Sequence, residues 1–169
     1  MQFPTDAAEL DRLIREHPER LAELAEYTPS WLGDQLRSAA RDSHRAASHL
    51  PGEHVHAEPP RWLRLAALAA LLTFAEGTAT TCRCRPRIDR PQPIIAAAWM
   101  PGTVACRRHA IEVLTEGVPD DADTRCDACG VVPPGGLHTG QVVLGPMILF
   151  YAACAECRTW TDSEREGTR

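Results

Sequence analysis

Cys126-Asp-Ala-Cys129-Gly130 and Cys154-Ala-Glu-Cys157 are two CxxC pairs separated by 24 residues. Two thiolates at this spacing can grip one ion from a tight turn, and a zinc ion asks for four tetrahedral donors. Gly130 suits the turn because glycine tolerates positive φ. The spacer contains two predicted strands, Leu137–Leu144 and Met147–Ala153, which meet at Gly145-Pro146. A hairpin there returns the second pair to the first.

Upstream, Cys82-Arg-Cys84 and Cys106-Arg-Arg-His109 form CxC, a spacer of 21 residues, then CxxH. Thr78–Thr81 and Ile94–Trp99 favour strands. Met100-Pro101-Gly102-Thr103 reads as a turn leading through Val104-Ala105 to Cys106, and Ala110–Thr115 suits a short helix stopped by Gly117. Seven cysteines and His109 supply eight donors, enough for two sites with no cysteine spare. The predicted cofactors are therefore two structural Zn2+ ions. One is held by Cys82, Cys84, Cys106 and His109, the other by Cys126, Cys129, Cys154 and Cys157.

Four protein ligands leave no open position for water or substrate, so the expected role is folding energy, on the order of 10–16 kcal/mol per site in small peptides. A rubredoxin-like iron is the alternative at the second set. Buried thiols with a surface histidine are the alternative at the first. Sequential pairing is simplest, and a cross-brace joining the first pair to the third stays open.

The CxxC…CxxC segment resembles a zinc ribbon over about 32 residues. The CxC…CxxH segment, whose last pair stands where a helix begins, more weakly resembles a treble clef. These resemblances imply a zinc-module fold and no activity. The two halves read as a diverged repeat, each with a ligand pair, a turn-containing apolar stretch ending in Ala-Cys, and a second pair.

The N-terminal half follows a helical period. Asp6 followed by Glu9 has capping-box geometry, and Leu10, Leu13 and Ile14 recur on one face. Pro18 interrupts, and Leu21, Leu24 and Ala25 resume in a second short helix. Thr28-Pro29 reads as N-cap and first helical residue of a third helix to about Ser48, with Trp31, Leu32, Gln35, Leu36 and Ala39 on one side. Pro51, Gly52, Pro59 and Pro60 mark a linker. A fourth helix, from about Pro60 to Glu76, is apolar nearly all round, which predicts a buried central helix capped by Gly77. The predicted fold class is α+β. A helical region over 1–77, with its linker at about 50–60, precedes a zinc module at 78–117, a zinc-ribbon-like module at 118–160 and a polar tail at 161–169.

The hydrophobic share is 44% and the aromatic share 5%, so the core must rely on Leu, Ala, Val and Ile. All 18 basic residues are arginine, which with abundant alanine points to a GC-rich bacterial genome. The first residues contain Asp6 and Glu9 and no apolar h-region, unlike a secretory signal. The longest apolar stretch, Trp62 to Ala75, is broken by Arg64 and short for a bilayer span of roughly 20 residues. A cytoplasmic protein with no membrane contact is expected, where clustered cysteines indicate metal rather than disulfides. Oligomeric state is left open.

The net charge of −5 divides unevenly, as −5 over residues 1–60, +6 over 61–110 and −6 over 111–169. Arg83, Arg85, Arg87, Arg90, Arg107 and Arg108 surround the first ligand set, with Arg61 and Arg64 upstream. Arginine's planar fork suits phosphate and carboxylate alike. The expected function is a non-enzymatic zinc-binding adaptor or regulator acting through nucleic-acid or protein contacts on this surface. Thiolate charge nearby and acidic flanks offer the arginines purely internal partners, and the acidic whole is unlike a typical nucleic-acid binder.

An enzyme reading rests on His56-Ala-Glu58, the HxE half of a zinc deaminase signature. The pattern departs from it: no cysteine pair follows a proline, Cys126 lies 70 residues on from His56, and Pro59-Pro60 disturb the required helix. His44, His49, His54 and His56 cluster near the linker, where a solvated loop is expected rather than a third metal site. Cys126-xx-Cys129 lacks the βαβ context of a redox pair.

Overall fold

The strand sequence Met147-Ile-Leu-Phe-Tyr-Ala-Ala153 is apolar at every position, which suits a strand covered on both faces rather than one. A computed structural model of the chain describes residues 6–17, 19, 26, 28–50, 53–54, 59–116, 118 and 124–158. Its helices are α1 (Ala7–Glu16), α2 (Ser30–Ala47), α3 (Arg61–Glu76), α4 (Ala110–Thr115) and α5 (Ala155–Arg158). Its strands are β1 (Glu53–His54), β2 (Thr80–Thr81), β3 (Ile94–Ala97), β4 (Thr103–Cys106), β5 (His138–Leu144) and β6 (Met147–Ala153). The class is α+β, with helices leading and strands following.

One mixed six-stranded sheet runs β1-β5-β6-β3-β4-β2. β5 and β6 form an antiparallel hairpin, as do β3 and β4. The hairpins join through parallel β3 and β6, from Ile94 opposite Met147 to Ala97 opposite Phe150. The strands of both cysteine segments thus share one sheet. Gly145 makes the β5–β6 turn at φ +57, left-handed geometry that a side chain would strain.

Side chains alternate between two cores. On one face, Ile94, Ala96, Val104, Val142, Met147, Leu149 and Tyr151 pack beneath Leu63, Ala67 and Ala70 of α3. On the other, Ile95, Ala97, Ala105 and Ile148 pack against Ala46 and Ala47 of α2 and Ala110 and Leu114 of α4. Helices on both faces explain why β3 and β4 bury every residue. Trp62 meets Tyr151 edge to face at 5.8 Å between ring centroids. Gly140 lies opposite Tyr151, and a Cβ there would fall 2.3 Å from the tyrosine hydroxyl. The glycine exists to admit the ring.

α1 begins as its sequence indicates, with Asp6 accepting from the Glu9 amide at 2.7 Å. It packs on α3, where Arg64 reaches Asp11 with Nε at 2.9 Å and an η nitrogen at 3.3 Å. Arg64 also donates to the Pro59 carbonyl at 2.7 Å. The arginine that interrupts the apolar stretch is therefore a core ion pair, not part of a basic surface. α3 ends at Gly77 with φ +74, as expected.

α2 differs from its sequence reading in two respects. Its N-cap is Pro29, one residue later than expected. Its buried stripe is Ala39, Ser43, Ala46 and Ala47, while Trp31 is 53% exposed and Gln35 is exposed. Only the C-terminal half lies on the sheet, and small residues there allow close approach. The Ser43 hydroxyl donates to the Pro146 carbonyl at 2.8 Å, and the buried Gln141 amide donates to the Ala47 carbonyl at 3.0 Å. Within the segment read as linker, Glu53 and His54 pair in parallel with β5 at the sheet edge. The expected second helix at Leu21–Ala25 lies outside the described residues. No helix among the described residues is long and apolar enough to cross a membrane.

Candidate metal centres and the arginine face

The CxxC pair at Cys126 folds into a closed turn. The Gly130 amide donates to the Cys126 carbonyl at 2.7 Å, and Gly130 takes φ +71. Asp127, between the two cysteines, docks this turn on the end of β6: its amide donates to the Ala152 carbonyl at 2.9 Å, and its carboxylate accepts from the Ala152 amide at 2.6 Å. Cys154 follows at once and donates its own amide to the Cys126 sulfur at 3.3 Å. Cys157, on α5, donates to the Cys154 sulfur at 3.4 Å. The result is four sulfurs, of Cys126, Cys129, Cys154 and Cys157, all within 4.8 Å of one another. Tetrahedral zinc–thiolate bonds of about 2.3 Å imply sulfur–sulfur edges of about 3.8 Å. The donor set fits such an ion with little movement.

The protein environment also prepares these thiols unequally. Burial opposes ionisation of Cys126, but amide hydrogen bonds from Cys154, Cys129 and Ala128 outweigh it and bring the thiol down to about 7. Burial, reinforced by the neighbouring sulfurs, pushes Cys157 well up. Metal binding at this cluster must therefore expel protons. Burial likewise lifts the Asp127 carboxyl to about 6. No sequence pattern marked Asp127, although a carboxylate between paired cysteines is a visible polar exception.

The first set is built similarly with a shorter turn. The sulfurs of Cys82 and Cys106 and a ring nitrogen of His109 lie within 4.8 Å of one another. Cys84 stands outside that group, exposed, with its sulfur 3.4 Å from His109 Nδ1. Cys106 Sγ lies 3.3 Å from the same nitrogen. The His109 ring thus faces Cys84 and Cys106 together, and a modest shift of Cys84 would complete four donors. The clusters form within each segment, in the sequential arrangement rather than a cross-brace.

The two halves correspond in detail. The Cys106 amide donates to the Cys82 sulfur at 3.4 Å, matching Cys154 on Cys126. The residue after the second cysteine is left-handed in both: Gly130 at φ +71, and Arg85 at φ +46. An L-residue there costs roughly 1–2 kcal/mol relative to glycine-like freedom. Arg85 is the single non-glycine residue with positive φ among those described.

Strand register fixes the distance between centres. Cys106 lies level with Ile94 and Ile94 with Met147, whereas Cys154 follows the far end of β6, seven residues on. At about 3.3 Å per residue the centres stand roughly 20 Å apart along the strands. They also belong to different cores, Cys82 and Cys106 with α2 and α4, Cys126 and Cys154 with α3.

The arginines separate into engaged and free groups. Arg83 Nε donates to His109 Nε2 at 2.9 Å. Arg87 pairs with Asp89, Nε to Oδ1 at 2.8 Å. Arg85, Arg90, Arg107 and Arg108 are exposed, and no described carboxylate forms a salt bridge with any of them, although the charge of Arg90 helps hold the Asp89 carboxyl below its ordinary range. Arg85 flanks the cluster from the first ligand pair, and Arg107 and Arg108 stand between Cys106 and His109.

Outside these sets little else gathers. His44 and His49 are exposed at the end of α2, and Cys126/Cys129/Cys154/Cys157 and Cys82/Cys106/His109 are the two metal-competent groups among the described residues. His56 and Glu58, on which the deaminase alternative depends, lie outside those residues. The chain matches no protein-family model, no curated protein and no solved structure.

Proposed function

We propose that this chain is a non-catalytic adaptor or regulatory protein in which two structural zinc centres hold an arginine-bearing surface for nucleic-acid binding. The observation that carries the reading is the group of exposed guanidiniums without a salt bridge, Arg85, Arg107 and Arg108 next to the first ligand set in the chain and Arg90 downstream beside Asp89. A fold that only needed to offset thiolate charge would turn these groups inward to the sulfurs. Arginines left to water with no internal carboxylate are available to phosphate. With Cys84 drawn in, each ligand set offers four protein donors, so the metals act on folding rather than on substrate.

Fluorescence anisotropy on labelled oligonucleotides tests this. Binding that falls steeply with added salt is expected. Alanine at Arg85, Arg90, Arg107 and Arg108 together should abolish it while zinc content is unchanged. Equal binding by that variant would remove the arginine face as the cause.

A second reading has its own support. Ile111 is 75% exposed two residues after His109, close in the chain to Arg107 and Arg108. An exposed aliphatic among arginines suits an acidic protein partner. Retention of a partner by pull-down that is lost on Ile111→Ser, with no oligonucleotide binding, would favour it.

A further inference from the structure

The backbone of Arg85 points to more than a charged surface. We propose that Arg85 is the anchoring phosphate contact of the arginine face, and that the face grips the backbone of a nucleic-acid duplex rather than the bases of a single strand; this rests on the nucleic-acid reading above.

Arg85 occupies, at φ +46, the position that Gly130 occupies at φ +71 in the matching turn. Its amide closes the turn on the Cys82 carbonyl at 2.8 Å, a bond that glycine would make without a side chain in a disfavoured region. The closed turn accounts for the backbone geometry but not for a side chain at that position. The side chain is exposed, and no described carboxylate meets it. A strained residue with no structural return marks a position kept for contact with something outside.

The surroundings narrow the ligand. Over residues 78–117 the one aromatic residue is Trp99, which is half-buried with its indole N–H directed at the Leu114 carbonyl at 3.4 Å. No stacking platform for unpaired bases is present there. Two apolar cavities border the same segment. One of about 260 Å³ is lined by Leu36 and Phe74 and, from the 87–92 loop, by Arg87, Ile88 and Pro91, and one of about 370 Å³ by Trp99, Leu114 and Leu137. A protein partner's anchor residue wants such a pocket, and Arg85, Arg107 and Arg108 line neither of these two. What remains is a set of exposed guanidiniums, Arg85 directly after the first ligand pair and Arg107 and Arg108 within the second. Such groups contact backbone phosphates and carry no base information.

The test compares the zinc-loaded protein with Arg85→Gly, which relieves the strain, and Arg85→Asn, which keeps a side chain tolerant of left-handed geometry. A short labelled duplex and its component single strand are the probes, with polyglutamate as competitor. The wild type should prefer the duplex, with log K falling against log salt at a slope of about −3 to −4 for four phosphate contacts. Both variants should lose on the order of tenfold in affinity and about one unit of that slope. Their zinc content should be unchanged, and the Tm of Arg85→Gly should be no lower than wild type. If both variants bind like wild type, Arg85 is not the anchor and the nucleic-acid reading survives. Tighter binding of the single strand overturns the duplex assignment. Loss of zinc in both variants means that Arg85 is held for the fold, which overturns the anchor. Wild-type protein that binds neither oligonucleotide sinks this inference and the nucleic-acid reading together, and capture by polyglutamate alone identifies an acidic polypeptide as the ligand.

Discussion

Arg83 Nε donates to Nε2 of His109 at 2.9 Å, while Nδ1 of the same ring faces the sulfurs of Cys84 and Cys106 at 3.4 and 3.3 Å. A guanidinium cannot accept, so this contact requires a lone pair on Nε2 and a proton on Nδ1. A metal held through Nδ1 reverses the tautomer and sets two donors face to face. Arg83 should therefore detach on loading and join the free arginines. Arg83→Ala is expected to leave zinc affinity unchanged or slightly raised, measured by competition with a chromophoric chelator. A tenfold loss would show instead that the guanidinium stabilises the thiolates.

Elemental analysis of reduced, purified protein should return two zinc equivalents per chain. Cys129→Ser and Cys106→Ser should each remove about one, because each breaks a different cluster. Chelation of both ions should unfold the sheet's cysteine ends, since sites of this kind supply on the order of 10–16 kcal/mol in small peptides. A fully folded metal-free chain, seen by circular dichroism and an unchanged Tm, contradicts this.

Zinc retention at the second centre should depend on pH with a definite sign. Ligation needs thiolates, and Cys126 is brought down to about 7 while Cys157 lies well above its ordinary range. Loading at neutral pH should release protons, detectable in weakly buffered indicator solution, and acidification should favour metal loss. Proton-neutral loading would mean that the sulfurs are already ionised.

The buried pair of Asp11 and Arg64 gives a separate acid dependence. The hydrogen bond from Arg64 holds the Asp11 carboxyl below its ordinary range despite burial. A folded-state value below the unfolded one contributes stability that is complete above the unfolded pKa, about 3.9, and is lost as pH falls through the folded value. Wild type should therefore weaken below about pH 4 more steeply than Asp11→Asn. Asp11→Ala leaves Arg64 buried without this carboxylate and should cost about 3–5 kcal/mol at neutral pH. Parallel acid profiles for wild type and Asp11→Asn would exclude the pair as the cause.

Gly140→Ala places a methyl 2.3 Å from the Tyr151 hydroxyl. Either the ring or β5 must move, disturbing the edge-to-face contact with Trp62. Overpacking of this kind costs about 1–3 kcal/mol, so Tm should fall by several degrees with zinc content intact. A neutral result would show that Tyr151 turns away freely.

Much of the local structure was legible because it depends on near neighbours. Gly77 ends α3, Ala110–Thr115 is the helix expected, and Met147–Ala153 is the strand expected. Ligand spacing likewise placed Cys126, Cys129, Cys154 and Cys157 in one cluster. What periodicity could not say is which part of a helix would find a partner. Trp31 fits α2's apolar face, yet only the small residues nearer its C-terminus reach the sheet, so the indole stays in water.

By itself, then, the sequence determined the chemistry of this protein, seven thiols and an imidazole in pairs and an arginine-rich stretch between acidic ones, because ligand type and short spacing are local properties. Only the tertiary structure decided that the hairpins join through β3 and β6 into one sheet, that the two clusters stand at its opposite ends, and that Arg64 turns inward to Asp11 while Arg85 stays out. These depend on strand register and on which carboxylate packs near which guanidinium. Such relations join residues tens of positions apart, which no local pattern records.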